Sequence, residues 1–168
     1  MTVHSASPCD PRLQLRIAQT GDRGAVRAFL DRLSPSTIKV RYLSPSLSLA
    51  GPSGDRELTR ILQRNQAKHV VVLAVDGMEI RGIGEFLNEL VDRAEIGLVV
   101  EDAFQRRGIG RLLFGKLEQL AVERGIRVFT GDIAYGNSRA IALLRGTGWR
   151  LKLQPGNGGV RFTLLLEA

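Results

Sequence analysis

Three arginines and two glycines lie in the seven residues from Gln105 to Arg111, directly before an apolar helical pattern. The first turn of a helix has N–H groups without intrahelical partners and carries the positive end of the helix dipole, so it attracts phosphate. Glycine lets an anion approach the backbone closely, and arginine adds charge-assisted hydrogen bonds. The segment therefore predicts a site for a pyrophosphate-bearing ligand. Its arginines are Arg106, Arg107 and Arg111, and its glycines are Gly108 and Gly110.

Two other phosphate motifs fit this segment poorly. The stretch from Gly110 to Leu117 nearly matches the P-loop pattern, but Leu117 stands where a magnesium-binding hydroxyl is needed. A dinucleotide-binding fingerprint needs a third glycine where the chain has Leu113. The remaining alternative is purely structural, a glycine-rich helix start flanked by solvated arginines.

The elements that position this segment follow from the hydrophobic pattern. Alternating or β-branched runs predict strands, and apolar residues at helical spacing predict helices. The dipeptide Asp76-Gly77 is typical of a hairpin turn, and Asp22 and Asn137 are typical helix N-caps. The predicted strands are 13–17, 69–75, 79–87, 94–100 and 126–133, followed by a C-terminal hairpin, and the main helices begin near positions 22, 57, 108 and 137.

This order of elements predicts an α/β (α+β) fold, with one mixed, mostly antiparallel central sheet flanked by helices. Residues 1–12 are predicted to be a loose N-terminal arm, and residues 13–168 a single domain. The Ser-, Pro- and Gly-rich region 34–55 is predicted to be a mobile loop. Gly97, in mid-strand, indicates a β-bulge that would splay the sheet, with a simple packing role as the alternative.

The composition excludes several function classes. The chain has 168 residues and one cysteine, Cys9, so neither an intrachain disulfide nor a Cys-His metal framework can form. We expect no metal and a reducing, cytoplasmic location. No apolar run approaches about 18 residues, so no membrane span is expected. The net charge of +7 suits anionic partners, but aromatic residues make up only 5% and are scattered, which argues against nucleic acid.

The segment from Gln105 to Gly110 resembles the Q/R-x-x-G-x-G/A motif of the GNAT superfamily of N-acetyltransferases. The order of elements from Leu13 to Trp149 is also similar to the GNAT fold. A later stretch resembles the family's N-x-x-A-x-x-L-Y-x-x-x-G-F helix, although the family's tyrosine falls at Leu144, so we assign no general acid. The matching residues of that helix are Asn137, Ala140, Leu143, Gly148 and Trp149.

The resemblance implies that acetyl-CoA is the co-substrate. Its pyrophosphate is expected on the loop from Gln105 to Arg111, and its pantetheine arm on the strand backbone at Leu98 to Val100. Pantetheine contains two amides and can therefore act as a short extra strand. The implied cofactor-binding residues are Leu98, Val99, Val100, Gln105, Arg106, Arg107, Gly108, Ile109, Gly110, Arg111 and Asn137.

Glu95 is the catalytic base that the resemblance implies, because members of the family commonly carry a glutamate base at this point of the pantetheine-binding strand. A free lysine amine has a pKa of about 10.4 and is almost fully protonated at pH 7, so acyl transfer needs a group that takes its proton. The alternative is a strand-edge glutamate paired with an arginine such as Arg93. Glu85 is the reserve candidate, since it could lie near Glu95 across the hairpin.

The acceptor is less well defined. The start of the chain resembles the GNAT domain of bacterial Pat-type protein lysine acetyltransferases, at Arg16, Asp22, the run Leu33-Ser34-Pro35 and the pair Arg41-Tyr42. This resemblance implies transfer to a protein lysine, for example on an acyl-CoA synthetase. An enzyme for a small amine (amino sugar, polyamine or antibiotic) and a non-catalytic acyl-CoA sensor stay open, as does a homodimer. Region 34–55 holds one acid, Asp55, which argues against a polycationic substrate.

Overall fold

The computed structural model describes residues 12–62, 67–156 and 158–166, which form one sheet, five α-helices and two short 3-10 turns, Thr20–Asp22 and Asp102–Phe104. The strands are β1 Leu13–Ile17, β2 His69–Asp76, β3 Glu79–Leu90, β4 Arg93–Val100, β5 Val128–Ala134, β6 Arg150–Gly156 and β7 Gly159–Leu165. The helices are α1 Arg23–Arg32, α2 Pro35–Tyr42, α3 Pro52–Leu62, α4 Ile109–Glu123 and α5 Ser138–Arg145.

The seven strands lie in the order β1-β2-β3-β4-β5-β7-β6. Neighbouring strands are antiparallel except for β4 and β5, which are parallel. The connection between these two strands runs through α4, as a parallel pair requires. The predicted mixed, mostly antiparallel sheet flanked by helices is therefore confirmed.

The central position of β2 follows from its sequence. Seven of its eight residues are buried, the aspartate at its end being the exception. A nearly continuous β-branched run is typical of a strand that is covered on both faces. The turn after it has Gly77 at φ 61°, which confirms the hairpin predicted from Asp76-Gly77.

Helices cover the two faces of the sheet unequally. On one face, α4 and α5 pack over both halves of the sheet and bury residues such as Phe86, Phe129 and Leu164. On the other face, α1, α2 and α3 cover β2, β3 and β4 around residues such as Leu73 and Ile83. Among the described residues, no buried member of this second cluster comes from β5, β6 or β7. We call this second side the α1–α3 face; on its β5–β7 half, α2 contacts β5.

The region predicted to be a mobile loop, 34–55, is mostly helical. The Ser34 hydroxyl accepts a hydrogen bond from Thr37 N (3.1 Å) and Pro35 occupies the first turn, so α2 begins here. The next helix, α3, begins at Pro52 rather than near position 57. The expected loop is therefore confined to residues 43–51, because Ser34-Pro35 and Pro52 start helices on either side of it.

Asp22 lies at the N-cap of α1, as predicted, but its carboxylate makes no capping bond with that helix. It accepts instead from Gln19 N (2.6 Å), in the capping box of the preceding 3-10 turn, and from Arg16, at 2.6 and 2.8 Å. The expectation for Gly97 is corrected. Gly97 lies in an unbroken register with β3, so the expected bulge is absent from this strand pair at that point. The shift in the β3–β4 ladder falls near the hairpin end instead, between Asn88 and Leu90.

The predicted N-terminal arm, including Cys9, lies outside the described residues except for Arg12. In the described part of the chain, no helix is long and apolar enough to cross a membrane.

Candidate active site

A gap opens in the sheet between β4 and β5. The two strands pair only through Arg93–Glu95 and Val128–Thr130, and the ladder then stops while β4 continues to Val100. Glu101 N donates to a carbonyl of β3 (2.9 Å), so alternation turns the backbone of Leu98 and Val100 away from β3 and toward the gap. This part of β4 therefore offers a strand edge with which an extended molecule can pair. The gap comes from the short β4–β5 ladder rather than from a bulge.

The N-terminus of α4 lies at the open end of this gap, a few residues beyond β4. Its first intrahelical hydrogen bond runs from Leu112 N to Gly108 O (3.1 Å), so the N–H groups just before Leu112 have no partner within the helix. Gly108 has φ 84°, a backbone conformation that favours glycine. A Cβ added at Gly108 or Gly110 would meet no atom within 4 Å. The space beside these amides is therefore open, as a bound pyrophosphate requires.

Arginines surround the start of α4, as the sequence predicted. The Arg107 guanidinium stacks over the ring of Phe104, 4.8 Å from its centroid. Arg111 reaches the end of α5, because a Cβ on Gly146 would lie 3.3 Å from its Nη2. Arg106 has φ 63°, an uncommon conformation for a residue with a side chain. All three arginines are exposed, so their guanidinium groups are accessible to an anion from solvent.

Gln105 holds the loop in place rather than presenting an unused amide. Its Nε2 donates to Val100 O (3.1 Å) and to Thr37 Oγ1 (3.2 Å), and its Oε1 accepts a bond from Arg139 (3.1 Å). The side chain thus connects the end of β4 with α2 and α5. We interpret Gln105 as the residue that fixes the distance between the strand edge and the helix start.

Three other residues of the predicted binding set, Val99, Ile109 and Asn137, have side chains that are buried or engaged within the protein, and the backbone of Val99 faces β3 rather than the gap. The side chains of Val99 and Ile109 are buried, at 7% and 4% exposure. Asn137 Oδ1 accepts a hydrogen bond from Ala140 N (3.2 Å) and caps α5, as its spacing predicted. Leu144, at the position of the missing tyrosine, belongs to the core and offers no proton donor.

Glu95 lies at the closed end of the gap, where β4 and β5 part. Its exposed side chain shares the α1–α3 face with Thr130, its partner on β5. Partial burial raises the pKa of the Glu95 carboxyl above its ordinary value, and the charge of Glu89 raises it further. Arg161 lowers this pKa, Asp132 raises it, and the more weakly acting Arg41 lowers it. A carboxyl with a raised pKa takes a proton more readily near neutral pH, which suits a general base.

Glu89 and Asp132 complete an acidic group around Glu95 that the sequence did not reveal. Thr130 Oγ1 donates to Glu89 (3.2 Å), while Arg161 donates to Asp132 (2.8 Å) and lies 3.9 Å from Glu89. These acids come from β3, β4 and β5. Only the register between strands brings them together, and nothing in the local sequence indicates that register.

The reserve candidate, Glu85, is unsuited to act as a base. Its buried carboxylate accepts hydrogen bonds from Arg41, from both terminal nitrogens of Arg60 (2.7 and 2.8 Å) and contacts His69 Nε2 (2.7 Å). Burial alone would raise the pKa of Glu85, but the bonds from His69 and Arg60 and the charges of both arginines bring it well below its usual range. Glu85 therefore holds cations in place, and it is not among the groups that shift the pKa of Glu95.

The space over Gly97 is filled by Arg41, which the sequence singled out only through the resemblance at the pair Arg41-Tyr42. A Cβ on Gly97 would lie only 2.3 Å from Arg41 Nη2 and 2.6 Å from its Cζ. Gly97 faces Glu85 across the β3–β4 ladder, and Glu85 is the acceptor that holds Arg41 there. The lack of a side chain at Gly97 therefore leaves room for the Arg41 guanidinium beside the gap. This is the packing role given above as the alternative to a bulge, and it places a charged group next to the gap.

Asp102 ties this side of the site together. Its carboxylate accepts bonds from Ser34 N (3.1 Å), Ser34 Oγ (2.6 Å) and Thr37 Oγ1 (2.8 Å), which fastens the start of α2 to the turn after β4. Burial opposes ionisation, but these hydrogen bonds outweigh it and lower the pKa of Asp102. The helix that carries Arg41 is therefore anchored to the strand that carries Gly97.

In the described ranges, no group of three or more His, Cys, Asp or Glu side chains is arranged to hold a metal ion. The chemistry available here is that of a carboxylate base, a nearby guanidinium and a strand edge that leads to an anion-binding helix start.

Comparisons with known proteins agree with this fold. The model of the acetyltransferase (GNAT) family matches residues 40–149, and no curated protein sequence matches the chain. The GNAT domain of S. lividans PAT is similar in structure, with a TM-score of 0.79 at 23% identity, over 92% of this chain and 90% of that one. Salmonella typhimurium yncA, solved with its cofactor acetyl-CoA, has a TM-score of 0.67 at 19% identity over 91% of each chain. The spermidine N-acetyltransferase from Vibrio cholerae, solved with CoA and spermine, has a TM-score of 0.69 at 17% identity, over 94% of this chain and 97% of that one. At these identities the structural likeness establishes the fold alone.

Proposed function

Because the chain belongs to the acetyltransferase (GNAT) family, we propose that it transfers the acetyl group of acetyl-CoA to the side-chain amine of a protein lysine. The observation that carries this proposal is a continuous path. It runs from the amides at the start of α4, along the gap-facing edge of Leu98–Val100, to the carboxylate of Glu95. Each part suits one part of the reaction: a pyrophosphate, an amide-containing arm and an amine.

The residues present fit acetyl-CoA. The amides around Gly108 and Gly110, with open space beside them, would hold the pyrophosphate, and Arg106, Arg107 and Arg111 would add charge. The strand edge at Leu98–Val100 would pair with the pantetheine amides. When bound, acetyl-CoA supplies an activated acyl group, a thioester that an amine can attack directly.

Glu95 is the base of this mechanism. It takes a proton from the incoming ammonium, directly or through one water, and its raised pKa makes that transfer easier near neutral pH. No protein acid is needed for the departing sulfur, because a thiol has a pKa of about 8.5 and its thiolate leaves readily. The absence of a hydroxyl at Leu144 is therefore compatible with turnover.

The shape of the surface beside Glu95 favours a protein as the acetyl acceptor. On the α1–α3 face no described residue of β5–β7 joins the buried cluster, and the side chain of Glu95 is exposed, so the mouth beside Glu95 opens to solvent. The neighbouring β3–β4 hairpin exposes Leu87, Leu90 and Val91, at 48%, 62% and 95% exposure. An exposed apolar hairpin beside the base is suited to contact a folded surface around a lysine. A cytoplasmic location and an acyl-CoA synthetase as the substrate are part of this proposal.

A small polycationic amine is the second candidate, and a specific observation favours it. Glu89, Glu95 and Asp132 place three carboxylates at the mouth, with Arg161 as the partly neutralising cation. Such a group attracts a second ammonium of a polyamine as well as the reacting one. The loop that argued against a polycation in the sequence does not provide these acids; strands β3, β4 and β5 do.

A panel of acceptors separates the two candidates. CoA release would be measured with acetyl-CoA and each of spermidine, an amino sugar, free lysine and an acyl-CoA synthetase protein, followed by mass spectrometry of the products. We expect one modified lysine on the protein and slow turnover of the small amines. Efficient acetylation of spermidine with no modified protein lysine would support the second candidate. Tight acetyl-CoA binding without turnover of any acceptor would instead indicate a sensor.

A further inference from the structure

We propose that Arg41 is a catalytic residue of the acyl transfer, whose guanidinium donates hydrogen bonds to the carbonyl oxygen of the acetyl thioester and stabilises the oxyanion. The inference rests on the proposed function, because it takes acetyl-CoA to lie along the edge of β4. It adds the group that bears the negative charge formed during attack.

The first support is the position of the guanidinium. The Arg41 side chain crosses from α2 onto β4 and occupies the space over Gly97, since a Cβ there would lie 2.3 Å from Nη2 and 3.0 Å from Nη1. Any side chain at position 97 would displace it. The sequence therefore keeps a positive charge directly against the backbone of the strand that forms one wall of the gap.

The order of sites along β4 brings the thioester to the same place. The pyrophosphate would lie beyond the C-terminal end of β4, at α4, and the pantetheine arm along Leu98–Val100. The chemically reactive end must then point toward the start of β4, where the ladder with β5 begins and Glu95 lies. Ile96 and Gly97 lie between that arm and the base, and of these two Gly97 shares the α1–α3 face with Glu95, because Ile96 belongs to the core on the opposite face. Arg41, which covers Gly97, is therefore next to the reacting carbonyl.

The third support is how Arg41 is held. Among the described residues, its side chain hydrogen-bonds only to Glu85, through Nη2, although a guanidinium has five N–H donors. Glu85 is also bound by Arg60 and His69, and Arg60 is shared with Glu57. One carboxylate thus fixes the guanidinium without using all its donors. A fixed donor that needs no reorganisation is the arrangement that stabilises developing charge most effectively.

The step can be written with all bonds and protons. The ammonium gives one proton to Glu95, and the neutral amine attacks the thioester carbon. A C–N bond forms while the carbonyl π pair moves to oxygen, which becomes the oxyanion beside Arg41. The C=O bond re-forms as the C–S bond breaks, and the CoA thiolate takes the second proton from the substrate nitrogen. Glu95 returns its proton to solvent, so the products are the amide, CoA and one proton.

The test compares Arg41→Gln and Arg41→Lys with Lys39→Gln, a charge-matched control on the exposed side of the same helix. We expect kcat to fall about 10²–10³-fold in Arg41→Gln, the usual cost of losing one oxyanion donor, with a smaller fall in Arg41→Lys. The calorimetric Kd for acetyl-CoA and the KM for the amine should stay within about threefold of wild type, because the interaction strengthens only during reaction. Lys39→Gln should behave as wild type.

An infrared measurement supplies a readout that needs no turnover. With carbonyl-¹³C acetyl-CoA bound and no amine present, the wild-type protein should shift the carbonyl stretch to lower frequency, and Arg41→Gln should lose that shift. A shift retained in Arg41→Gln would overturn the inference even if its kcat fell. An increased amine KM at unchanged kcat would also overturn it, since Arg41 would then bind the acceptor. Failure of the wild-type protein to bind acetyl-CoA would instead contradict the proposed function.

Discussion

At the scale of single residues, the site depends on the different surroundings of two glutamates, Glu85 and Glu95. Glu85 is buried and bound by two arginines and a histidine, so its charge is permanent and serves to hold cations. Glu95 is exposed and lies among other acids, so its charge is easily neutralised. From the sequence, both residues are candidates for the base, with Glu85 as the reserve. Their partners make Glu85 a structural anion and suit Glu95 to the proposed role of base.

Replacing Glu95 with glutamine should remove the base while keeping the shape of the side chain. We expect kcat to fall about 10²–10⁴-fold near neutral pH, with partial recovery at high pH because more of the amine is then already neutral. Affinity for acetyl-CoA, measured by calorimetry, should barely change. Glu123→Gln, at the far end of α4, is the control and should match wild type. Turnover within about twofold of wild type in Glu95→Gln would contradict the assignment.

Replacing Glu89 with glutamine should shift the pH dependence rather than abolish activity. The Glu89 charge raises the pKa of Glu95, so its removal lowers that pKa. The base form of Glu95 exists above its pKa, and kcat/KM should therefore persist to lower pH in Glu89→Gln. The measurement is the acidic limb of the pH profile, with Arg161→Gln as the opposite case, because Arg161 lowers the same pKa. If the acidic limb of Glu89→Gln moved to higher pH instead, a group other than Glu95 would be responsible for it.

At the scale of elements, the site is built where one helix begins and one strand pair ends. The start of α4 supplies unpartnered amides, and the short β4–β5 ladder supplies a strand edge that no other strand covers. The fold also fixes their spacing, because Gln105 bridges the end of β4 to α2 and α5. Neither element would bind the co-substrate well without the other.

A carboxylate at the start of α4 should prevent acetyl-CoA binding. Position 110 is open, so the side chain in Gly110→Asp would occupy the space proposed for the pyrophosphate and repel it. We expect no measurable binding by calorimetry. Gly115→Asp, on the exposed side of the same helix, is the control and should keep wild-type affinity. Arg107→Ala and Arg111→Ala should each weaken binding by about 1.5–3 kcal/mol at most. Unchanged affinity in Gly110→Asp would exclude this site.

The sequence predicted the elements well, because strand alternation, helix spacing and turn chemistry are local properties. The anion loop was predictable for the same reason, since Gly108, Gly110 and their arginines are contiguous. The acidic group and Arg41 were not, because they depend on strand register and on how α2 packs across β4. Gly97 illustrates the limit. Its sequence indicated a special backbone, whereas the structure shows an ordinary strand with a guanidinium in place of a side chain.

At the scale of the whole molecule, the net charge is positive, whereas the mouth beside Glu95 is locally acidic. The chain carries a formal net charge of +7, yet Glu89, Glu95 and Asp132 gather beside the gap. Long-range attraction therefore favours an acidic partner, while the mouth itself attracts an ammonium group. The two effects act at different distances and can serve the same encounter.

Salt should slow the reaction with a protein more than with a small amine. For an acidic target protein we expect kcat/KM to fall as ionic strength rises from roughly 0.05 to 0.5 M, because screening shortens the reach of the net positive field. Free lysine, which has no acidic surface, should show little or no such fall. Steady-state kinetics with both acceptors would decide, and a kcat/KM for the protein that rises with salt would exclude this steering.

The short ladder between β4 and β5 also ties catalysis to folding stability. On the α1–α3 face no described residue of β5–β7 joins the buried cluster, so few buried apolar contacts link the two parts of the sheet there. A ligand that binds only the folded state stabilises it by about 2.7 kcal/mol at a hundredfold excess over its Kd. If that ligand spans the gap, its stabilisation should appear as slower amide hydrogen exchange in both strands, including residues it never touches. The acyl donor would then be the component that makes the two parts of the sheet unfold as one cooperative unit.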